Sequence, residues 1–187
     1  MKQKPSLFLD RDGVINRRLP GDYVRHPEDF HPVKGALQAI ALLAPHFGRI
    51  VVVTNQAGIG KGLMDERDLD AVHRKMQALV QAAGGRLDGI YFCPHHPDAG
   101  CACRKPATGM ALQARSDFPE IDFKNAWMVG DSASDMQLGH SLGMRTVLID
   151  GKFEDAAALA SMTVDYRFGS LLDFATRFFE KNKLNAP

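Results

Sequence analysis

With 187 residues, 45% of them hydrophobic and 24% charged, the chain is long enough to bury a core without disulfides, which excludes a disordered polypeptide and predicts a single domain over residues 1–187. A formal charge of +1 excludes a global field that would gather nucleic acid, so any charged ligand has to be met by local groups. Residues 1–6 lack an apolar signal core and no later apolar run approaches the length of a membrane span, so the expectation is a cytoplasmic protein with no membrane contact.

Taken in chain order, short apolar runs at 6–9, 50–53, 89–92, 126–129 and 145–149 have strand length and little period-two alternation, as strands buried on both faces do. Helical patterns lie between them. They are expected over 34–43, ended by Pro45, over 110–118, ended by Pro119, and over 132–142, ended by Gly143. The clearest runs over 65–83, where Leu69, Val72, Met76, Leu79 and Ala83 form a stripe behind a cap at Asp65. A last amphipathic helix is expected over 170–183, through Leu171, Leu172, Phe174, Ala175 and Phe178. Alternation of this kind predicts an α/β three-layer sandwich with a central parallel sheet, right-handed crossovers and a ligand site at the carboxyl ends of the strands. Two longer loops, 17–32 and 94–108, should overhang that site.

The run Asp10-Arg11-Asp12-Gly13 sits where the first strand ends. Two residues along the exiting strand, Asp12 is expected to point the same way as Asp10, because side-chain direction repeats every two residues, so both carboxylates face one phosphoryl group. A carboxylate can attack phosphorus only when a divalent cation and fixed donors offset the charge already on the phosphoryl group. Asp10 is placed to attack and Asp12 to donate a proton. Thr54 and Asn55 offer a hydroxyl and an amide after the second strand, and Lys105 supplies positive charge. Asp131, after Trp127-Met128-Val129-Gly130, reaches the same sheet edge and can close an oxygen-ligand site of the kind magnesium prefers.

Cys93, His95, Cys101 and Cys103 fall within one short segment, a spacing that can wrap a tetrahedral zinc, with His96 as the rival to His95. Three thiolates and an imidazole leave no open position, which makes such a zinc structural. Arg104 and Lys105 follow the last cysteine, so a metal that fixes loop 93–103 also fixes two cations. An uncleaved second phosphate would be met by cations on the overhanging loops, Arg104, Lys61, Arg17 and Arg18, with the planar fork of Arg104 preferred. Gly58-Ile59-Gly60-Lys61-Gly62 lacks Walker spacing, and the histidines 26, 31, 46, 73 and 140 read as solvated or core residues.

In order along the chain, Asp-x-Asp-Gly, a threonine after a strand, a lysine, and Gly130-Asp131 followed by Asp135 resemble the motifs of the haloacid dehalogenase superfamily of phosphotransferases. The likeness spans about residues 7–150 and implies a Rossmann-like fold without a large cap. It further implies an aspartyl-phosphate on Asp10, general acid and base work by Asp12, and phosphoryl contacts from Thr54 and Lys105. Magnesium would be held by Asp10, Asp131 and the backbone carbonyl of Asp12, with Asp135 behind the ligands. Cys93 to Pro106 looks like the zinc-loop group of that superfamily, whose substrates include a heptose 1,7-bisphosphate and histidinol phosphate. The runs 10–16, 22–24 and 54–62 favour the heptose, while the short spacing from His95 to Cys101 is closer to the histidinol phosphatases. The expected partner is therefore a small phosphorylated sugar, with no nucleic acid, and a monomer is the expected state. A non-catalytic phosphate-binding module on the same fold is the alternative of another class, against which stands the pairing of Asp10 with Asp12.

Overall fold

The computed structural model describes residues 3–151 and 156–183. Its centre is a six-stranded sheet in the order β3-β2-β1-β4-β5-β6. The strands are β1 Ser6–Leu9, β2 Arg49–Asn55, β3 Gly89–Cys93, β4 Ala126–Gly130, β5 Arg145–Ile149 and β6 Tyr166–Phe168. Every neighbouring pair is parallel. In register, Leu7 faces Ile50 on one side and Trp127 on the other, so β1 lies between the two halves of the sheet. The order reverses at β1, and the crevice there opens at the carboxyl ends of β1 and β4, the place where open α/β sheets receive ligands.

Between the strands lie α1 Ala36–Leu43, α2 Ala57–Gly60, α3 Glu66–Ala82, α4 Gly109–Asp117, α5 Ala133–Ser141, α6 Ala156–Ala160 and α7 Leu171–Lys183. On one face of the sheet Leu7, Leu9, Ile50, Val52 and Val129 pack with Ile40 and Leu43 of α1, Val72 and Met76 of α3, and Phe174 of α7. Phe8, Val51, Val53 and Met128 point to the opposite face and pack with Met110 and Ala114 of α4 and Leu138 of α5. Two apolar layers on a doubly covered sheet account for the uninterrupted apolar runs of its inner strands. The expected three-layer architecture is the one observed.

Four details differ from expectation. The strand β6 and the short helix α6 were not anticipated, since Tyr166–Phe168 is three residues long and mostly exposed. Residues 57–60, which lie outside every expected helix, form the helical turn α2. Thr54 and Asn55 are the last residues of β2 and not part of the loop beyond it. In α3, Val80 and not Ala83 completes the buried stripe, and His73 joins it. The cap at Asp65 is present, its carboxylate accepting from the backbone of Arg67 at 2.8 Å and Asp68 at 2.9 Å. Among the described residues no helix is long and apolar enough to cross a membrane.

Candidate active site

Asp10 stands directly past β1, tied to β4 through its backbone N–H on the carbonyl of Val129 at 2.9 Å. The strand does not continue to Asp12. The chain turns there, with the backbone N–H groups of Ile15 and Asn16 on the Arg11 carbonyl and Gly13 at φ 98°. A side chain at Gly13 is excluded on two grounds: the positive φ, and a Cβ that would fall 1.9 Å from Oδ2 of Asp131. A turn, and not strand alternation, is therefore what brings both carboxylates to one cavity, and it sends Arg11 between them into the interior, fully buried.

That cavity measures about 580 Å³, within the range of small-ligand sites. Asp10, Asp12, Thr54, Asn55, Arg104 and Lys105 all line it. Its outer wall comes from loop 17–32 through residues 18–24, and Ser132 and Ser134 at the start of α5 close another side. Of the four cations expected to meet a second phosphate, Arg18, Lys61 and Arg104 line the cavity and Arg17 does not. Lys61 lies over the ring of Tyr23 at 5.4 Å. Arg104 carries a buried Nη1 with no hydrogen-bond partner.

Lys105 is buried, and its ammonium donates to Oδ1 of Asp10 at 2.7 Å, Oδ1 of Asp135 at 2.7 Å and the carbonyl of Val53 at 2.8 Å. Burial opposes its charge, but the two carboxylates outweigh burial and hold its pKa above the usual lysine range. Asn55 grips the same residue by its main chain, accepting from the backbone N–H at 3.0 Å and donating to the carbonyl at 3.2 Å. Its carbonyl oxygen and one N–H are thereby engaged by Lys105, which leaves the second N–H of the amide, at the cavity lining, as the group that could meet a phosphate.

Asp10, Asp131 and Asp135 bring carboxylate oxygens within 4.8 Å of one another, all three buried. Burial first, then the charges of Asp135, Asp131 and Asp12, push Asp10 up to about 7 against the pull of Lys105. Asp131 is raised too, by burial, although Arg18 bonds it with Nε at 2.8 Å and Nη2 at 2.5 Å. That bidentate pair leaves no trace in the sequence, because its partners are 113 positions apart in the chain. The oxygens of Asp135 are occupied by Lys105 and by the backbone and hydroxyl of Ser132, at 3.1 and 2.6 Å. A cluster of hard oxygens short of positive charge suits a divalent cation such as magnesium.

Asp12 has a different setting. Its carboxylate accepts from Arg11 at 2.9 Å, Asn16 at 2.9 Å and Gln56 at 2.8 Å. Burial would raise its pKa, but Arg11 and the three hydrogen-bonding side chains hold it below the usual carboxylate range. Gln56 uses its other N–H on the hydroxyl of Thr54 at 2.8 Å. Gln56 and Asn16 were missed at the sequence level: once Arg11 is buried it needs acceptors, of which Gln56 is one, but that burial is visible only in the structure, and Asn16 donates to Asp12 and not to Arg11.

Beside the cavity, Cys93 Sγ, His95 Nδ1, Cys101 Sγ and Cys103 Sγ converge within 4.8 Å. The sulfur–sulfur distances are 3.5 Å from Cys93 to Cys101 and 3.4 Å from Cys101 to Cys103. Such a set of three thiols and an imidazole is compatible with zinc. His96 is not part of it: its Nδ1 caps the turn Pro97–Ala99 by accepting from the backbone of Asp98 at 3.3 Å.

Comparison with known proteins agrees with this geometry. Residues 102–174 match the family described as HAD-hydrolase-like. The chain is 40% identical over 169 residues to the D-glycero-alpha-D-manno-heptose-1,7-bisphosphate 7-phosphatase of Mycobacterium tuberculosis (strain CDC 1551 / Oshkosh), covering 90% of this chain and 88% of the relative. It is also 40% identical to the D-glycero-beta-D-manno-heptose-1,7-bisphosphate 7-phosphatase of Vibrio cholerae, over 87% of this chain and 91% of the relative. The crystal structure of D,D-heptose 1,7-bisphosphate phosphatase from B. bronchiseptica, complexed with magnesium and phosphate, superposes with a TM-score of 0.86 at 33% identity, covering 95% of this chain and 99% of that one. The chain belongs to the heptose-1,7-bisphosphate 7-phosphatase family of haloacid-dehalogenase-like hydrolases.

Proposed function

We propose that this protein is a magnesium-dependent phosphomonoesterase that removes the 7-phosphate of D-glycero-D-manno-heptose 1,7-bisphosphate, in the route to nucleotide-activated heptose. Its carrying observation is Asp10, a buried carboxylate at the base of a cavity rimmed by cations, with Lys105 at 2.7 Å and the second carboxylate, Asp12, lining the same space. The names of the relatives supply the substrate.

Asp10 attacks phosphorus through a carboxylate oxygen, the bond to the sugar oxygen breaks, and Asp12, ionised in the free protein but protonated against the negative charge of the bound phosphate, gives that oxygen its proton. Three side chains around Asp12 favour the carboxylate this transfer leaves behind. The carboxylate then takes a proton from water as the water attacks the aspartyl-phosphate, releasing phosphate and restoring Asp10. Thr54 and Lys105 hold phosphoryl oxygens; Asn55 and Asp135 hold Lys105 in place. Magnesium, held by Asp10, Asp131 and the backbone carbonyl of Asp12, would offset the charge of the phosphoryl group. Arg104, with its free buried Nη1, serves the phosphate that stays. Zinc on Cys93, His95, Cys101 and Cys103 would keep Arg104 and Lys105 in register, and the whole chain works as one domain and as a monomer in the cytoplasm.

The test is phosphate release with magnesium from both anomers of the bisphosphate and from histidinol phosphate, with Asp10→Asn as the blank. Fast release from a bisphosphate and none from the blank is expected. A preference for histidinol phosphate would transfer the assignment to that substrate.

A further inference from the structure

His73 belongs to α3, outside the cavity lining, and is buried on the core face of the helix four residues after Leu69. Its Nε2 lies 3.2 Å from Nη1 of Arg11. A guanidinium has only donors, so Nε2 must be the acceptor and Nδ1 must carry the ring proton. Burial first and then the charge of Arg11 press His73 down to about 3, which keeps the ring in that neutral form. Phe92 meets it edge-on, with centroids 6.0 Å apart.

Arg11 directs its other nitrogen, Nη2, to Asp12 at 2.9 Å and to Oε1 of Gln56 at 3.2 Å. Gln56 in turn spends its two N–H groups on Asp12 and Thr54, each at 2.8 Å. A buried relay therefore runs from a helix through a guanidinium to the carboxylate that moves protons and to the hydroxyl that meets phosphate. Without an acceptor at position 73, the Nη1 end of Arg11 would be buried and unpaired, as its Nε already is, and the fork would be free to turn.

We propose that His73 is a positioning residue for proton transfer: its ring nitrogen fixes the Arg11 fork, which with Gln56 aims the Asp12 carboxylate at the leaving oxygen. This rests on the reading of Asp12 as the general acid and base.

Two substrates separate orientation from general damage. A sugar phosphate releases an alkoxide that needs a proton, whereas p-nitrophenyl phosphate releases a stable phenolate that does not. The ratio of kcat/KM on the two, taken from one preparation, is independent of the fraction folded. His73→Leu is expected to lower kcat/KM about tenfold for the heptose bisphosphate and clearly less for the aryl phosphate, the loss lying in kcat more than in KM. His73→Gln, which keeps an acceptor, is expected to restore the ratio. Asp12→Asn is the comparator. If it separates the two substrates and His73→Leu lowers both equally, the positioning role falls while the acid role stands. If Asp12→Asn fails to separate them, both fall.

Discussion

Asp10, Asp131 and Asp135 gather three carboxylates in one buried cluster, and Lys105 bonds two of them at 2.7 Å. Removing one partner of a buried, hydrogen-bonded ion set costs about 3–5 kcal/mol, because the charges left behind have neither water nor a counter-ion. Lys105→Met is therefore expected to lower the melting temperature of the metal-free protein and to abolish phosphate release; unchanged melting would show that Arg18 alone balances the cluster. The same cluster sets a pH dependence. Asp10 is raised from 3.8 to about 7, so the native state binds its proton more tightly than the unfolded chain does. Its contribution to stability is full below the unfolded value and is lost as pH rises through about 7. A divalent cation competes with that proton, so magnesium is expected to raise the melting temperature more at about pH 8 than at about pH 5.5. Equal shifts at both pH values would mean that the cation does not use Asp10.

At the scale of elements, α2 is wedged between the backbone of loop 93–103 and loop 17–32. Gly60 donates its N–H to the Pro94 carbonyl at 2.7 Å, and a Cβ at this position would stand 2.3 Å from the backbone nitrogen of His96. That neighbour is main chain and cannot swing aside. Gly60→Ala is expected to cost about 1–3 kcal/mol in denaturant unfolding and to lower turnover by displacing the loop that carries Lys105. Asp65→Ala, at the far simpler cap of α3, is expected to cost about 1 kcal/mol and to leave kcat/KM unchanged. The cap was legible in the sequence because its partners are two and three residues away. The wedge was not: Gly58-Ile59-Gly60 carries no local sign of it until Pro94 and His96 are brought beside it.

For the molecule as a whole, the metal-compatible sulfur cluster and the lysine of the buried carboxylate cluster share one short stretch of chain. Cys103 closes the sulfur cluster and Lys105 enters the carboxylate cluster two residues later, with Asn55 of β2 holding its main chain. On the reading that zinc fills the sulfur cluster, stripping it with a chelator and restoring magnesium is expected to lower phosphate release, since the segment then keeps Asn55 as its anchor but loses the sulfur cluster. Full activity in zinc-free, magnesium-replete protein would show that β2 suffices.

The order of apolar runs, the cap of α3, the cysteine spacing and the strand-end positions of Asp10 and Asp131 were readable from sequence, because each depends on neighbours within a few residues or on a strand ending where the apolar run ends, whereas Asp12 reaches the cavity by a turn that strand alternation did not foresee. Strand β6, three residues long and exposed at the sheet edge, left no such pattern. What only the tertiary structure decided was who partners whom. Arg18 meets Asp131 across 113 positions of chain, Asn55 meets Lys105 across 50, and His73 meets Arg11 across 62. Contacts of that separation are set by the folding of a parallel sheet, whose crossovers bring strand ends together without leaving any local trace in the residues that meet there.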